Sequence, residues 1–178
     1  MQQKIVITGG PSTGKSTLIN KLSKQNYTCL EEISREVILE ARKKGIEHLF
    51  ISSPVLFSEI LLEKRTLQYQ KANNINTNIV FFDRGIIDII AYLNFSKTPY
   101  DIDFNSVLNK TKYQKVFICP PWQEIHETDN ERYESFEQAN EIHLHLMKAY
   151  EKEGYHPIEI PFGTPEERCL FITKNLSN

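Results

Sequence analysis

Gly9-Gly10-Pro11-Ser12-Thr13-Gly14-Lys15-Ser16-Thr17 matches G-x-x-x-x-G-K-[S/T] in full. Glycines in such a loop let successive backbone N–H groups turn inward around a phosphate. A helix starting at the lysine points its positive N-terminal end at the same anion. Lys15 then reaches the β- and γ-phosphates of a nucleotide, and the Ser16 hydroxyl suits Mg²⁺. Gly9, Gly10, Pro11, Ser12, Thr13, Gly14, Lys15, Ser16 and Thr17 are therefore the candidate nucleotide-binding residues, with Lys15 also catalytic. The alternative is a glycine-rich turn that binds nothing. The frame argues against it: Lys4–Thr8 reads as a short buried strand, and Thr17–Leu22 carries apolar residues at helical spacing.

Asp83 is the second anchor, closing the apolar run Ile79-Val80-Phe81-Phe82. An acid at the carboxyl end of a parallel strand can hold Mg²⁺ across from a phosphate loop or take a proton from an acceptor. Asp83 is thus a candidate metal ligand and catalytic residue; its structural alternative is a helix N-cap. Arg84 next to it is a candidate for contacting phosphate or acceptor, or else a surface salt bridge worth little. Asp88, one turn on, is expected at a solvated helix position.

Glu32 and Arg35 flank the end of a second strand and should open onto the same crevice. Glu32 can accept from a sugar hydroxyl and Arg35 can fork onto a carboxylate or phosphate; an exposed ion pair in a first helical turn is the alternative. Glu31 should point the other way. The polar stretch Gln123–Ser135 sits where small phosphate-loop kinases place a lid, and Arg132 is its single arginine. A lid that closes over phosphates needs a cation, so Arg132 is a catalytic candidate, against an ordinary solvated loop. His126, His143 and His145 do not have metal-site spacing, and His143 falls on an apolar helix face. Trp122 either stacks on a ligand or fills space between helix and sheet.

The elements that must position these groups alternate. Strands are expected over Lys4–Thr8, Tyr27–Glu32, Ile79–Asp83, Gln114–Cys119 and Pro157–Ile160. Between them, Ser34 is a candidate N-cap for a helix to about Lys44, closed by Gly45. Ser53-Pro54 opens a longer helix with Phe57, Ile60, Leu61 and Leu67 as its buried stripe. Further helices are expected over 85–94 and 106–110, on an apolar face of Phe136, Ala139, His143, Met147 and Tyr150, and after the capping box Thr164-Pro165-Glu166-Glu167. This alternation predicts one α/β domain over residues 1–178, a doubly wound, mainly parallel sheet.

The 178 residues, with 40% hydrophobic and 25% charged, suit a single globular domain. A formal net charge of -2 argues against a general nucleic-acid or anionic-membrane surface. Cys29, Cys119 and Cys169 are widely spaced and odd in number, which suggests free thiols in a reducing cytoplasm. The first strand begins within four residues, leaving no space for a signal peptide, and no apolar run approaches the roughly 20 residues of a membrane helix.

Gly9–Thr17, Glu31-Glu32-Ile33-Ser34-Arg35-Glu36, Phe82-Asp83-Arg84-Gly85 with Asp88, Arg132, and Pro161-Phe162-Gly163-Thr164-Pro165-Glu166-Glu167-Arg168 together resemble the NadR-like AAA-type P-loop ATPases, which are similar to the ribosylnicotinamide kinase domain of NadR. The resemblance covers nearly the whole chain. It implies a nucleoside/nucleotide-kinase architecture with strand order 2-3-1-4-5 and binding of ATP and Mg²⁺. It also implies that Glu32, Arg35 and Asp83 line the acceptor side, with Gly163, Thr164 and Pro165 near the nucleotide base. NadR's adenylyltransferase and DNA-binding activities are not implied, because no corresponding regions occur in this sequence.

The leading expectation is a kinase that moves the γ-phosphoryl of ATP to a nucleoside-like or ribosylated acceptor, with nucleotide and small-molecule acceptor as its partners. The alternative is a regulatory nucleotide-binding module acting through a protein partner. A GTPase is third: Asn109-Lys110-Thr111-Lys112 lacks the acid that reads guanine.

Overall fold

Four parallel pairings join the strands in the order β2-β3-β1-β4-β5. The strands are β1 Gln3–Gly9, β2 Thr28–Leu30, β3 Ile79–Asp83, β4 Lys115–Cys119 and β5 Ile158–Glu159. The helices are α1 Lys15–Lys24, α2 Ile33–Lys43, α3 Leu49–Ser52, α4 Pro54–Ala72, α5 Ile87–Phe95, α6 Asn105–Leu108, α7 Phe136–Lys152 and α8 Pro165–Lys174. The structure, a computed structural model, describes residues 2–127 and 134–176. The expected strand order holds, and the sheet is parallel throughout its described pairings.

The central strand shows why the sheet is wound on both faces. Side chains alternate along β1, so Ile5 and Ile7 join one buried layer and Val6 the other. The first layer packs Phe81, Phe117 and Cys119 against Leu18 and Leu22 of α1 and Cys169 and Ile172 of α8. The second packs Val80, Phe82, Val116 and Ile118 against α2, α4, α5 and α7. Each fully buried Ile, Leu or Phe contributes about 1.5–3 kcal/mol relative to exposure. Val6 pairs in register with both Phe82 and Val116. The ends of β1, β2, β3 and β4 therefore open at one edge of the sheet, where ligands of such folds bind.

Local signals place most helix ends. Pro54 opens α4, Gly45 follows α2 at φ +82°, and Thr164 and Glu167 make a reciprocal capping box at α8. Ser135 and Gln138 make another at α7. Three expectations are corrected. The N-cap of α2 is Glu32, whose carboxylate accepts from the Ser34 amide; Ser34 is already helical. Leu67 is 46% exposed, because the buried stripe of α4 runs through Ser58, Leu61, Arg65 and Ala72. The buried stripe of α7 is Ala139, Ile142, Leu146 and Tyr150, leaving Phe136, His143 and Met147 half-buried beside it. Cys119 and Cys169 are buried free thiols, and Cys29 is half-buried. Among the described residues no helix is long and apolar enough to cross a membrane.

Candidate active site

The loop between β1 and α1 is built for close backbone approach. Gly14 sits at φ +75°, and a Cβ there would lie 2.8 Å from Arg168 Nη1. Arg168 Nη1 donates to Thr13 O (3.0 Å), and Thr13 Oγ1 donates to Gly10 O (3.0 Å). Ser12 Oγ ties the loop to the start of the expected lid by donating to Glu127 O (2.6 Å). α1 begins at Lys15, with Leu18 N donating to Gly14 O (3.1 Å). The dipole end and the amides thus converge on the mouth of the loop.

Lys15 Nζ and Asp83 Oδ1 form an ion pair, with side chains 9% and 8% exposed. Asp83 does not cap α5, whose N-terminal flank is Ile86 with no side-chain cap. The carboxylate faces the loop lysine instead. Lys15 lines the cleft and Asp83 lies behind it. A phosphate that takes Lys15 as its partner therefore frees an Asp83 oxygen on the same spot.

Next to this pair lies a second charged cluster, drawn from the ends of β2 and β3 and from α4 and α5, with Thr8 of β1 and Tyr150 of α7 bonded to it. Glu32 Oε1 accepts from Arg65 Nη2 (2.8 Å), and Glu32 Oε2 is 2.5 Å from Arg84 Nε. Arg65 Nη1 donates to Gly85 O (2.8 Å). Asp88 accepts from Gly85 N (2.9 Å), Tyr150 Oη (2.6 Å) and Thr8 Oγ1, with Arg84 Nη1 at 3.2 Å. Arg84 holds this position at φ +69°, a strained conformation for a residue with a side chain. Its guanidinium lies 5.2 Å from the Tyr92 ring centroid. Asp88 is 1% exposed, so the expectation of a solvated position is overturned. Arg84 is likewise no surface salt bridge; its side chain is 14% exposed and held by two carboxylates.

Burial opposes ionisation of Glu32, yet Arg65, Arg84 and Lys15, with the Ser34 amide, outweigh it and hold its pKa at about 2. The folded value lies below the ordinary 4.5, so this carboxylate stabilises the fold above pH 4.5 and loses that contribution as pH falls toward 2. The full contribution is on the order of 3 kcal/mol. Glu32→Gln should lower stability near neutral pH and flatten the acid limb of a urea-unfolding series. Parallel limbs for the two proteins would exclude this role.

One cleft of about 1600 Å³ collects most of the candidate residues. Gly10 to Thr17, Glu32, Arg35, Arg84, Gly163, Thr164 and Pro165 all line it. Gly9 does not; it lies beneath the loop, where a Cβ would be 2.8 Å from Cys119. Glu31 is exposed and off the cleft, as expected. Arg35 is exposed on its rim. Arg132 lies outside the described residues, while Glu127 and Glu134 on either side of that segment line the cleft. Residues 109–112 do not line it. Trp122 stacks on Phe162 (centroids 5.1 Å apart) with the Arg168 guanidinium 5.8 Å from its ring, at the β4–β5 side of the loop.

Arg65, Asp88 and Arg168 were not among the sequence candidates. Arg65 had one legible sign: a charged residue in step with Leu61 and Ala72 on a helix's buried stripe must carry a partner inward. Asp88 had its i,i+4 spacing from Arg84.

The fold and the loop define a P-loop NTPase of nucleoside-kinase-like architecture. Residues 4–168 match the AAA domain family model, and the chain belongs to that family. Comparison with curated protein sequences finds no match. Among solved structures it is similar to deoxyadenosine kinase from M. mycoides with bound dATP, at 16% identity and TM-score 0.70 over 99% of this chain and 100% of that one. It is also similar to NadR protein in complex with NR, at 19% identity and TM-score 0.72, covering 98% of this chain and 50% of that one. Thymidylate kinase from Candida albicans is similar at 17% identity and TM-score 0.64, over 99% and 91% of the two chains. The NadR-like resemblance of the motifs is thus matched by family and by fold.

Proposed function

We propose that this protein is an ATP- and Mg²⁺-dependent phosphotransferase acting on a small hydroxyl-bearing acceptor, nucleoside-like or ribosylated. The observation that carries this reading is one cleft lined both by Lys15 of the phosphate loop, backed by its partner Asp83, and, on the β2–β3 side, by the ionised Glu32. A volume of about 1600 Å³ exceeds the roughly 300–1,000 Å³ of a single-ligand pocket. A module that only bound nucleotide would not need the second lobe.

The residues present fit the cofactors. Ser16 Oγ and Asp83 supply hard oxygen donors, the kind Mg²⁺ takes in small number beside phosphate. Bound Mg²⁺–ATP supplies the phosphoryl group. Lys15 and the loop amides neutralise charge on the β- and γ-phosphates. Glu32 orients the acceptor hydroxyl toward the loop. A bond forms from that oxygen to the γ-phosphorus as the bridge to the β-phosphate breaks, giving ADP and a phosphate ester. The hydroxyl proton passes to Glu32, Asp83 or solvent. A loose transition state asks for little proton removal, so a Glu32 carboxyl with a pKa of about 2 suffices as an orienting acceptor. Arg132, in the lid segment, is the proposed cation over the transferring group, and the turn Gly163–Pro165 the neighbour of the base. Kinases of this kind work in the cytoplasm on free nucleotide, which the three unpaired cysteines suit.

Lys15→Ala tests the loop. The variant keeps the amides but loses the charge facing the terminal phosphates, so ATP affinity should fall more than ADP affinity. Calorimetry that shows unchanged ATP binding would sink the assignment. The phosphotransfer itself is tested by acceptor-dependent ADP formation across a panel of nucleosides.

A further inference from the structure

Beyond the phosphate loop the cleft widens over the β2–β3 side of the sheet, between α2, α3, α4 and α5. We infer that this lobe takes an alcohol with an apolar body and an anionic far end, in preference to one whose far end is neutral or cationic. The inference rests on the phosphotransferase reading, whose acceptor it describes.

The first support is the face that α2 turns to the cleft. This helix packs into the protein through Val37 and Ala41, while Arg35, Ile38, Leu39 and Arg42 line the lobe. Those four positions follow i, i+3, i+4, i+7, one side of a helix. Leu39 is 55% exposed, and Ile51 of α3, which also lines the cleft, is 64% exposed. Further in, the walls are Phe57, Ile89, Tyr92 and Leu93. Large apolar side chains left open along a concave wall gain stability when an apolar body covers them.

The second is charge. Glu32 and Asp88 compensate Arg65 and Arg84. The acids of α2, Glu36 and Glu40, turn to Lys64 instead. Glu134 faces the lobe from the Tyr92 side, across from α2. Arg35 and Arg42 are left on the α2 rim with no side-chain partner among the described residues, so that rim presents two guanidiniums free to meet an anionic end. Guanidiniums fork onto carboxylate or phosphate oxygens and repel a cation.

The test uses one scaffold with different ends: para-(hydroxymethyl)benzoate, the matching phosphonate, the neutral benzamide and the cationic benzylamine. Each is titrated calorimetrically into the full chain loaded with Mg²⁺ and a non-hydrolysable ATP analogue. The anions should bind at least about tenfold more tightly than the amide, with the amine weakest. Arg35→Gln and Arg42→Gln should each bring the anions toward the amide without moving the melting temperature, since both residues are exposed. The tighter of the two anions shows whether a planar carboxylate or a tetrahedral end fits better. ADP formation with the same alcohols is measured separately. Arginine-dependent anion binding with no ADP would defeat the kinase reading and leave the anionic-acceptor lobe standing. ADP formation with the amide or amine preferred would do the reverse. Equal affinities, a preference that survives in the double Gln variant, or no binding of either anion at millimolar concentration overturns the inference.

Discussion

Asp83→Asn should lower turnover at least about 100-fold, the scale expected when a metal-placing or proton-accepting carboxylate is lost. Among the described residues its side chain forms an ion pair only with Lys15, behind which it lies, so its work is done beside the phosphate loop and not at a helix end. Asparagine keeps the shape but cannot hold Mg²⁺ against phosphate or compete for Lys15. A second consequence follows from the pairing. In the native chain an incoming phosphate must displace the Asp83 carboxylate from Lys15. In the variant that competition is gone, so ATP without metal should bind at least as tightly as to the native protein, while added Mg²⁺ should improve binding less. Titrations with and without metal check this. A variant with lowered stability and native specific activity would make Asp83 a structural residue only.

Asp88→Asn should do the opposite: a large loss of stability from a group five residues away. Its carboxylate is buried and accepts from Gly85 N, Tyr150 Oη and Thr8 Oγ1 beside Arg84 Nη1. Burial and the Asp88 carboxylate push the Tyr150 hydroxyl well above its usual range, so at neutral pH it stays a donor. Asparagine brings one oxygen and an amide that meets donors head-on, and it leaves Arg84 with less compensation. Removing one member of a buried charged network costs about 3–5 kcal/mol. At about 2–4 °C per kcal/mol for a domain of this size, the melting temperature should drop by roughly 6–20 °C. Calorimetric scans of the two Asn variants side by side separate the roles. A stable Asp88→Asn protein would show that the network is dispensable.

Much of this molecule is legible along the chain because its signals are local. The phosphate loop is a run of residues whose spacing states its own geometry, and Pro54, Gly45 and the Thr164–Glu167 box mark helix ends by the backbone groups they satisfy. Apolar runs ending in Asp83 and Cys119 announce strands buried on both faces. Convergence is another matter. Glu32, Arg65, Arg84 and Asp88 come from the ends of β2 and β3 and from the helices α4 and α5, and they meet only because β2 lies against β3 and α4 packs in the same buried layer as β3. An arginine on the buried stripe of α4 must take a partner inward, but nothing local says that the partner is Glu32, 33 positions away. The same holds for Asp88, whose burial is decided by Tyr150, 62 positions on. Local spacing set the phosphate site of this protein; the meeting of distant charges in a low-dielectric interior, which only the tertiary structure arranges, decided which acids are free for chemistry and which hold the fold.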